Sequence, residues 1–171
     1  MDAALIGVVA AHTSSSRRGS GADPERAPAY GILFKTLLVP VDLDHPELAE
    51  LAIELAIALA HASNGTVRLI HVQSTLPFSA MGLALPLANE TQAEAERGLE
   101  ALAAGVSLPN GSISSTVRMG SVCNEVLDEA EKIGADLIIV GSHAPNMATY
   151  LLGSNASTIV RHSKCSVLVV R

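Results

Sequence analysis

Phe34–Val41 reads FKTLLVPV and runs straight into Asp42. The run is apolar and lacks the polar–apolar alternation of a half-exposed strand, so it predicts a strand covered on both faces. Asp44-His45-Pro46-Glu47 then predicts a helix start. Asp44 or His45 can cap it, Pro46 suits the first turn, and Glu47 favours the positive end of the dipole. Leu48, Leu51 or Ala52, Leu55 and Leu59 recur at three- and four-residue spacing, which makes one apolar helical face. Gly65 is read as the residue that stops this helix.

The alternation continues to the C-terminus. Thr66–Val72 (TVRLIHV) predicts the second strand, Gln73–Ala88 a long apolar loop punctuated by proline, and Asn89–Ala104 a helix opened by a capping-box-like Asn89 and Gln92. Ile113–Met119 predicts the third strand, with Gly120 and Ser121 turning into a helix over Val122–Ile133 that Gly134 ends. Asp136–Val140 (DLIIV) is the fourth strand and Gly141–Leu152 a loop. Asn155–Arg161 is a short helix and Ser166–Val170 (SVLVV) the last strand. Strict alternation of buried strands with helices predicts a single α/β domain, its parallel sheet joined by right-handed crossovers and covered by helices on both faces.

Residues 1–33 differ. Thr13–Ala29 (TSSSRRGSGADPERAPA) has too little apolar surface to offset its ordering entropy, so this segment is expected to be a disordered extension, with the folded domain over 34–171. The chain has 171 residues, enough for one domain whose core needs neither disulfides nor metals. It is 49% hydrophobic but 2% aromatic, so Ala, Leu, Ile and Val must build that core. A net charge of −6 and no Trp argue against a nucleic-acid partner, which needs concentrated Lys and Arg or stacking platforms. No apolar run approaches the roughly 18 residues of a membrane span. The run Ala3–Ala11 makes a poor signal peptide, because Asp2 stands where a positive charge belongs. The expected location is therefore the cytoplasm. Cys123, in a predicted helix, and Cys165, in a predicted strand, read as small hydrophobes in a reducing compartment.

In an open parallel sheet, ligands bind outside the carboxyl ends of the strands at the topological switch point. Asp42 closes the first strand, where its carboxylate accepts hydrogen bonds either from a ribose or base edge or from the following turn. Gly141 follows the fourth strand and Gly120 the third. Each allows close approach of a ligand, or makes an ordinary turn. Gly153-Ser154-Asn155 stands at the start of the last helix, where unpaired N–H groups and the dipole favour an anion, and where Ser154 can equally serve as a cap. His143 is a lone loop histidine. The histidines show no metal-ligand spacing with Cys or Asp. There is no P-loop, no GxGxxG after the first strand and no GxSxG nucleophile elbow. Catalytic and metal residues are therefore not assigned.

Residues 141–171 (GSHAPNMATYLLGSNASTIVRHSKCSVLVVR), together with FKTLLVPVDL, LIHV and VRMGS, resemble universal stress proteins of the UspA superfamily, especially the small F and G types. The resemblance covers about 34–171. It implies a five-stranded parallel sheet of order 3-2-1-4-5, of the Rossmann-like, adenine-nucleotide α-hydrolase-like kind. It also implies a site for ATP, ADP or AMP, with magnesium or manganese as the accompanying ion. In that reading Asp42 holds adenine or ribose, Val72 packs on the base, and Val140 and Gly141 line the nucleotide. Gly153, Ser154 and Asn155 bind phosphates. Pro40, Val41, Gly120, Ser142 and His143 complete the set. Nucleotide-binding members carry Gly, two residues, Gly, nine residues, then Gly-Ser or Gly-Thr. Here Ala144 replaces the second glycine, and eight residues separate it from Gly153-Ser154. The family also implies a homodimer through the last strand, 166–170.

Three functions are compatible with these residues. The first is a nucleotide-binding regulatory protein of the stress response without efficient turnover, slow hydrolysis or autophosphorylation on a loop serine being open. The second is a stress protein that acts through protein–protein contacts without nucleotide. The third, an adenylate-transferring hydrolase relative, lacks an evident general base or transition-state cation.

Overall fold

The computed structural model describes residues 34–74, 81–105, 108, 112–141 and 153–170. The opening run forms β1 (Thr36–Pro40), a single 3₁₀ turn follows at Pro46–Leu48, and α1 spans Glu50–Ser63. Then come β2 (Thr66–Gln73), α2 (Met81–Ala104), β3 (Ile113–Met119), α3 (Val122–Ile133), β4 (Leu137–Gly141), α4 (Ser154–His162) and β5 (Ser166–Val170). The strands make one five-stranded sheet of order β3-β2-β1-β4-β5, with every pairing parallel.

The absence of alternation in β1 has the expected cause, because successive side chains enter two different cores. Leu37 and Val39 pack with Ala52, Ala56 and Leu99 on the face covered by α1 and α2. Leu38 packs with Val126, Ala130 and Ile159 on the face covered by α3 and α4. Leu37, Leu38 and Val39 are fully buried, and each such side chain contributes roughly 1.5–3 kcal/mol of apolar burial. α2 reaches its core through Ala95, Leu99 and Ala103 at four-residue spacing. The Asp136 carboxylate accepts the N–H groups of Lys35 (2.7 Å) and Thr36 (3.2 Å), which ties the start of β1 to the start of β4.

The local expectations need four corrections. Residues 81–88 belong to α2 instead of a loop, so Asn89 lies inside a helix and opens no capping box. Met, Leu and Ala are good helix formers, and Pro86 removes a single intrahelical donor. Neither Asp44 nor His45 caps α1, which begins at Glu50 behind the 3₁₀ turn. The left-handed residue after α1 is Asn64 (φ 51°). Gly65 is required instead by crowding, since a Cβ there would stand 2.8 Å from the Lys35 carbonyl oxygen. Cys165 precedes β5 and is not part of it. Among the described residues no helix is long and apolar enough to cross a membrane. Residues 1–33 lie outside the described residues.

Candidate functional site

A proline at the end of the central strand opens the site. The N–H of Val41 donates to the carbonyl of Ile70 in β2 (2.8 Å). Backbone groups alternate sides along a strand, so residue 40 turns its backbone toward β4. Pro40 has no N–H to offer there. Pairing of β1 with β4 covers Leu37–Leu137 and Leu38–Ile138, whereas β4 stays paired with β5 as far as Gly141–Val170. The two central strands therefore part at their carboxyl ends, at the switch point of the sheet.

Asp42 stands at this opening with an exposed side chain. Its Oδ1 accepts the N–H of Asp44 (3.0 Å), and its carbonyl accepts the N–H of His45 (3.2 Å). The carboxylate thus shapes its own turn through one oxygen. Among the described residues Oδ2 accepts nothing, so the turn role and a ligand role are compatible. His71, near the end of β2, buttresses the turn from below. Its Nδ1 lies 2.9 Å from the Val41 carbonyl and 3.4 Å from the Leu43 N–H. One nitrogen cannot donate and accept at once. The shorter contact requires Nδ1–H, so the ring donates to Val41.

The opposite wall comes from β4 and α4. Gly141 has no room for a side chain, because a Cβ would meet the backbone carbonyl oxygen of Leu48. The close approach at Gly141 is therefore first to the protein's own turn. Gly153 is the N-cap of α4, with extended backbone and no side-chain cap. Among the described residues nothing accepts from the first N–H groups of α4, at the positive dipole end where an anion is favoured. Ser154 and Asn155 are exposed there. The Cys123 thiol in the first turn of α3 donates to Asn155 Oδ1 (3.5 Å), which places the start of α3 beside that of α4.

These elements enclose a cleft of about 670 Å³. It gathers Pro40, Val41, Asp42, Val72, Val140, Gly141, Gly153, Ser154 and Asn155, all singled out in the sequence. Gly120 is not among its lining residues. That glycine is explained by its φ of +150°, by the bond from its N–H to Gln73 (2.9 Å), and by the Glu125 carboxylate, which an added Cβ would meet at 2.7 Å. Ser142, His143 and Ala144 lie outside the described residues. The sequence reading passed over His71, Leu48, Val122, Val126 and Ile159, which also line the cleft. His71 carries no local sequence signal for this role: its place one register step beyond the Pro40–Ile70 pair emerges only from the strand pairing.

Chemically, the cleft offers a carboxylate at one end, an uncapped helix tip at the other, and apolar walls from Val41, Val72 and Val140 between them. That set suits a ligand with hydroxyls, a flat apolar ring and an anionic group. Among the described residues no three His, Cys, Asp or Glu side chains group to hold a metal ion.

The sequence model of the Universal stress protein family matches residues 33–171. Universal stress protein G of Escherichia coli O157:H7 is 39% identical over 147 residues, covering 81% of this chain and the whole of that protein. Among solved structures, universal stress protein UspA from Lactobacillus plantarum superposes with a TM-score of 0.65 at 23% identity, over 81% of this chain and 98% of that one. A universal stress protein solved in complex with cAMP superposes with a TM-score of 0.52 at 25% identity, over 81% of this chain and 98% of that one. The family match over residues 33–171 and the 39% identity over the whole length of a universal stress protein G agree, and the chain belongs to the universal stress protein family.

Proposed function

We propose that the cleft binds an adenine nucleotide, ATP, ADP or AMP, and that the protein acts as a nucleotide-binding regulatory dimer in the stress response. One observation carries this reading. The Asp42 carboxylate and the uncapped tip of α4 line the same cleft at the β1/β4 switch point. Its volume is in the range of small-molecule sites. Asp42 would accept hydrogen bonds from ribose or the base, Val72 and Val140 would pack on the ring, and Gly153–Asn155 would receive phosphate. The solved family member in complex with cAMP adds support from outside the chain.

Binding is proposed without efficient turnover. Neither the described lining residues nor the sequence 142–152 offers a Lys or Arg to stabilise a transferring phosphoryl group. Ala144, where nucleotide-binding relatives carry glycine, favours a second reading, a stress protein that binds other proteins without nucleotide.

Calorimetric titration of the purified protein with ATP, with and without magnesium, separates the two. Wild type should bind. Asp42→Ala should weaken binding roughly tenfold, the scale of hydrogen bonds to a charged group. Gly153→Val should weaken it by crowding the phosphate end. No heat from wild type, together with no nucleotide released from the purified protein in mass spectrometry, would exclude the first reading.

A further inference from the structure

We propose that His71 is a positioning residue for the cleft, clamping the turn that presents Asp42. The inference rests on the nucleotide reading above and deepens it. The ladder between β1 and β2 ends at Pro40–Ile70, and the chain turns away at Asp42. Beyond that point the carbonyl of Val41 takes its hydrogen from the His71 imidazole, at 2.9 Å, instead of from the backbone of β2. The bond holds the residue immediately before Asp42. The Leu43 N–H, immediately after Asp42, lies 3.4 Å from the same nitrogen. A half-buried ring on β2 therefore contacts both neighbours of the exposed carboxylate while leaving the carboxylate itself open. Asp42 in turn closes its own turn through the Asp44 N–H. An exposed turn of this kind would otherwise fray, and ordering Asp42 only on binding would cost affinity.

The geometry fixes which substitutions should preserve the clamp. The side-chain nitrogen of Asn occupies the place of imidazole Nδ1 relative to Cγ, whereas that of Gln reaches the place of Nε2. His71→Asn keeps a donor for Val41, and His71→Gln and His71→Ala do not.

The test is ATP titration of wild type, the three His71 variants, Asp42→Ala and the Asp42→Ala/His71→Ala double variant, with amide hydrogen exchange of Asp44 followed in parallel. His71→Ala and His71→Gln should each weaken ATP binding by roughly five- to tenfold, the size carried by one neutral hydrogen bond. His71→Asn should stay within about twofold of wild type, and His71→Ala should add nothing in the Asp42→Ala background, since its effect passes through that carboxylate. Asp44 exchange should rise by roughly tenfold in the Ala and Gln variants alone. Equal losses in His71→Asn and His71→Ala, or a full additional loss in the Asp42→Ala background, would overturn the proposal. If His71→Ala does not fold, the Asn and Gln variants carry the comparison. If wild type binds no ATP, the nucleotide reading falls, and exchange at Asp44 decides the clamp on its own: unchanged exchange in the Ala or Gln variant overturns it, faster exchange supports it.

Discussion

Gly141, at the end of β4, lies against the carbonyl oxygen of Leu48, at the end of the 3₁₀ turn, with no space between them for a Cβ. The obstacle is a backbone atom, so no rotamer change can relieve it. The contact fixes the segment that follows Asp42 against the strand on the far side of the crevice, and so sets how far apart the two walls stand. Gly141→Ala should destabilise the protein by about 1–3 kcal/mol, the usual cost of overpacking, and should also weaken ATP binding as the turn is displaced. Urea unfolding monitored by circular dichroism checks the first expectation. A loss below about 0.5 kcal/mol, the scale of an ordinary surface substitution, would show that the turn yields freely and does not set the spacing.

A second relationship predicts acid sensitivity. Glu129 is completely buried in α3, where Arg68 of β2 (3.3 Å) and Arg118 of β3 both reach its carboxylate. Lys132 stands 3.6 Å away. Burial pushes the carboxyl up, but the hydrogen bond and charge of Arg118, with the charges of Lys132 and Arg68, more than offset it and hold the group below the ordinary carboxylate range. A carboxyl depressed on folding stabilises the native state above its unfolded value near 4.5, and the stabilisation is lost as pH falls through the folded value. Glu129→Gln leaves two arginines facing a neutral amide and should cost about 1–3 kcal/mol near neutral pH. The gap between the urea midpoints of the two proteins should stay constant above about pH 5 and narrow as pH falls below the unfolded value near 4.5, as the wild-type carboxylate is neutralised. A gap between the two that does not change with pH would refute the ion-pair account.

The limits of the sequence reading follow from the range of each interaction. Strands buried on both faces reveal themselves locally, which is why β1 and β4 are legible from residue type alone, whereas β3, an edge strand with no fully buried residue, is not the buried run the alternation predicts. Their lateral order is a long-range property. Alternation predicts parallel strands, and the order β3-β2-β1-β4-β5 came from the family resemblance, which the sheet bears out. The start of α2 is not legible because its first turns are apolar and punctuated by Pro86, which reads as a loop, whereas the helix runs from Met81 through that proline. Asp42 and the tip of α4 were recognisable because strand ends and helix starts carry local signals. The roles of His71 and Leu48 depend on contacts across a turn whose path no local pattern specifies. Pro40 lay between these cases. The residue was visible, but its consequence needed the direction of its backbone, which only the Val41–Ile70 bond supplies.

The same alternation of backbone direction gives a test of the proposed dimer. β5 is an edge strand, bonded to β4 on one side. The N–H of Ser166 donates to Asp136, at the start of β4 (3.3 Å). Even-numbered residues of β5 therefore turn toward β4, and the N–H groups of Val167 and Val169 turn toward the open edge. Among the described residues these donors have no partner, and an apolar edge of this kind invites a second strand, which a second copy of this chain would supply. Proline at an outward position removes an edge donor while leaving the β4 ladder intact. Val169→Pro should therefore shift a dimer toward monomer in sedimentation velocity. The loss in stability should be modest, about 1–2 kcal/mol, because proline replaces a buried valine side chain of slightly larger reach. Leu168→Pro, at an inward position, should instead break the β4–β5 ladder and cost more. A Val169→Pro protein that remains fully dimeric would place the dimer contact elsewhere on the molecule.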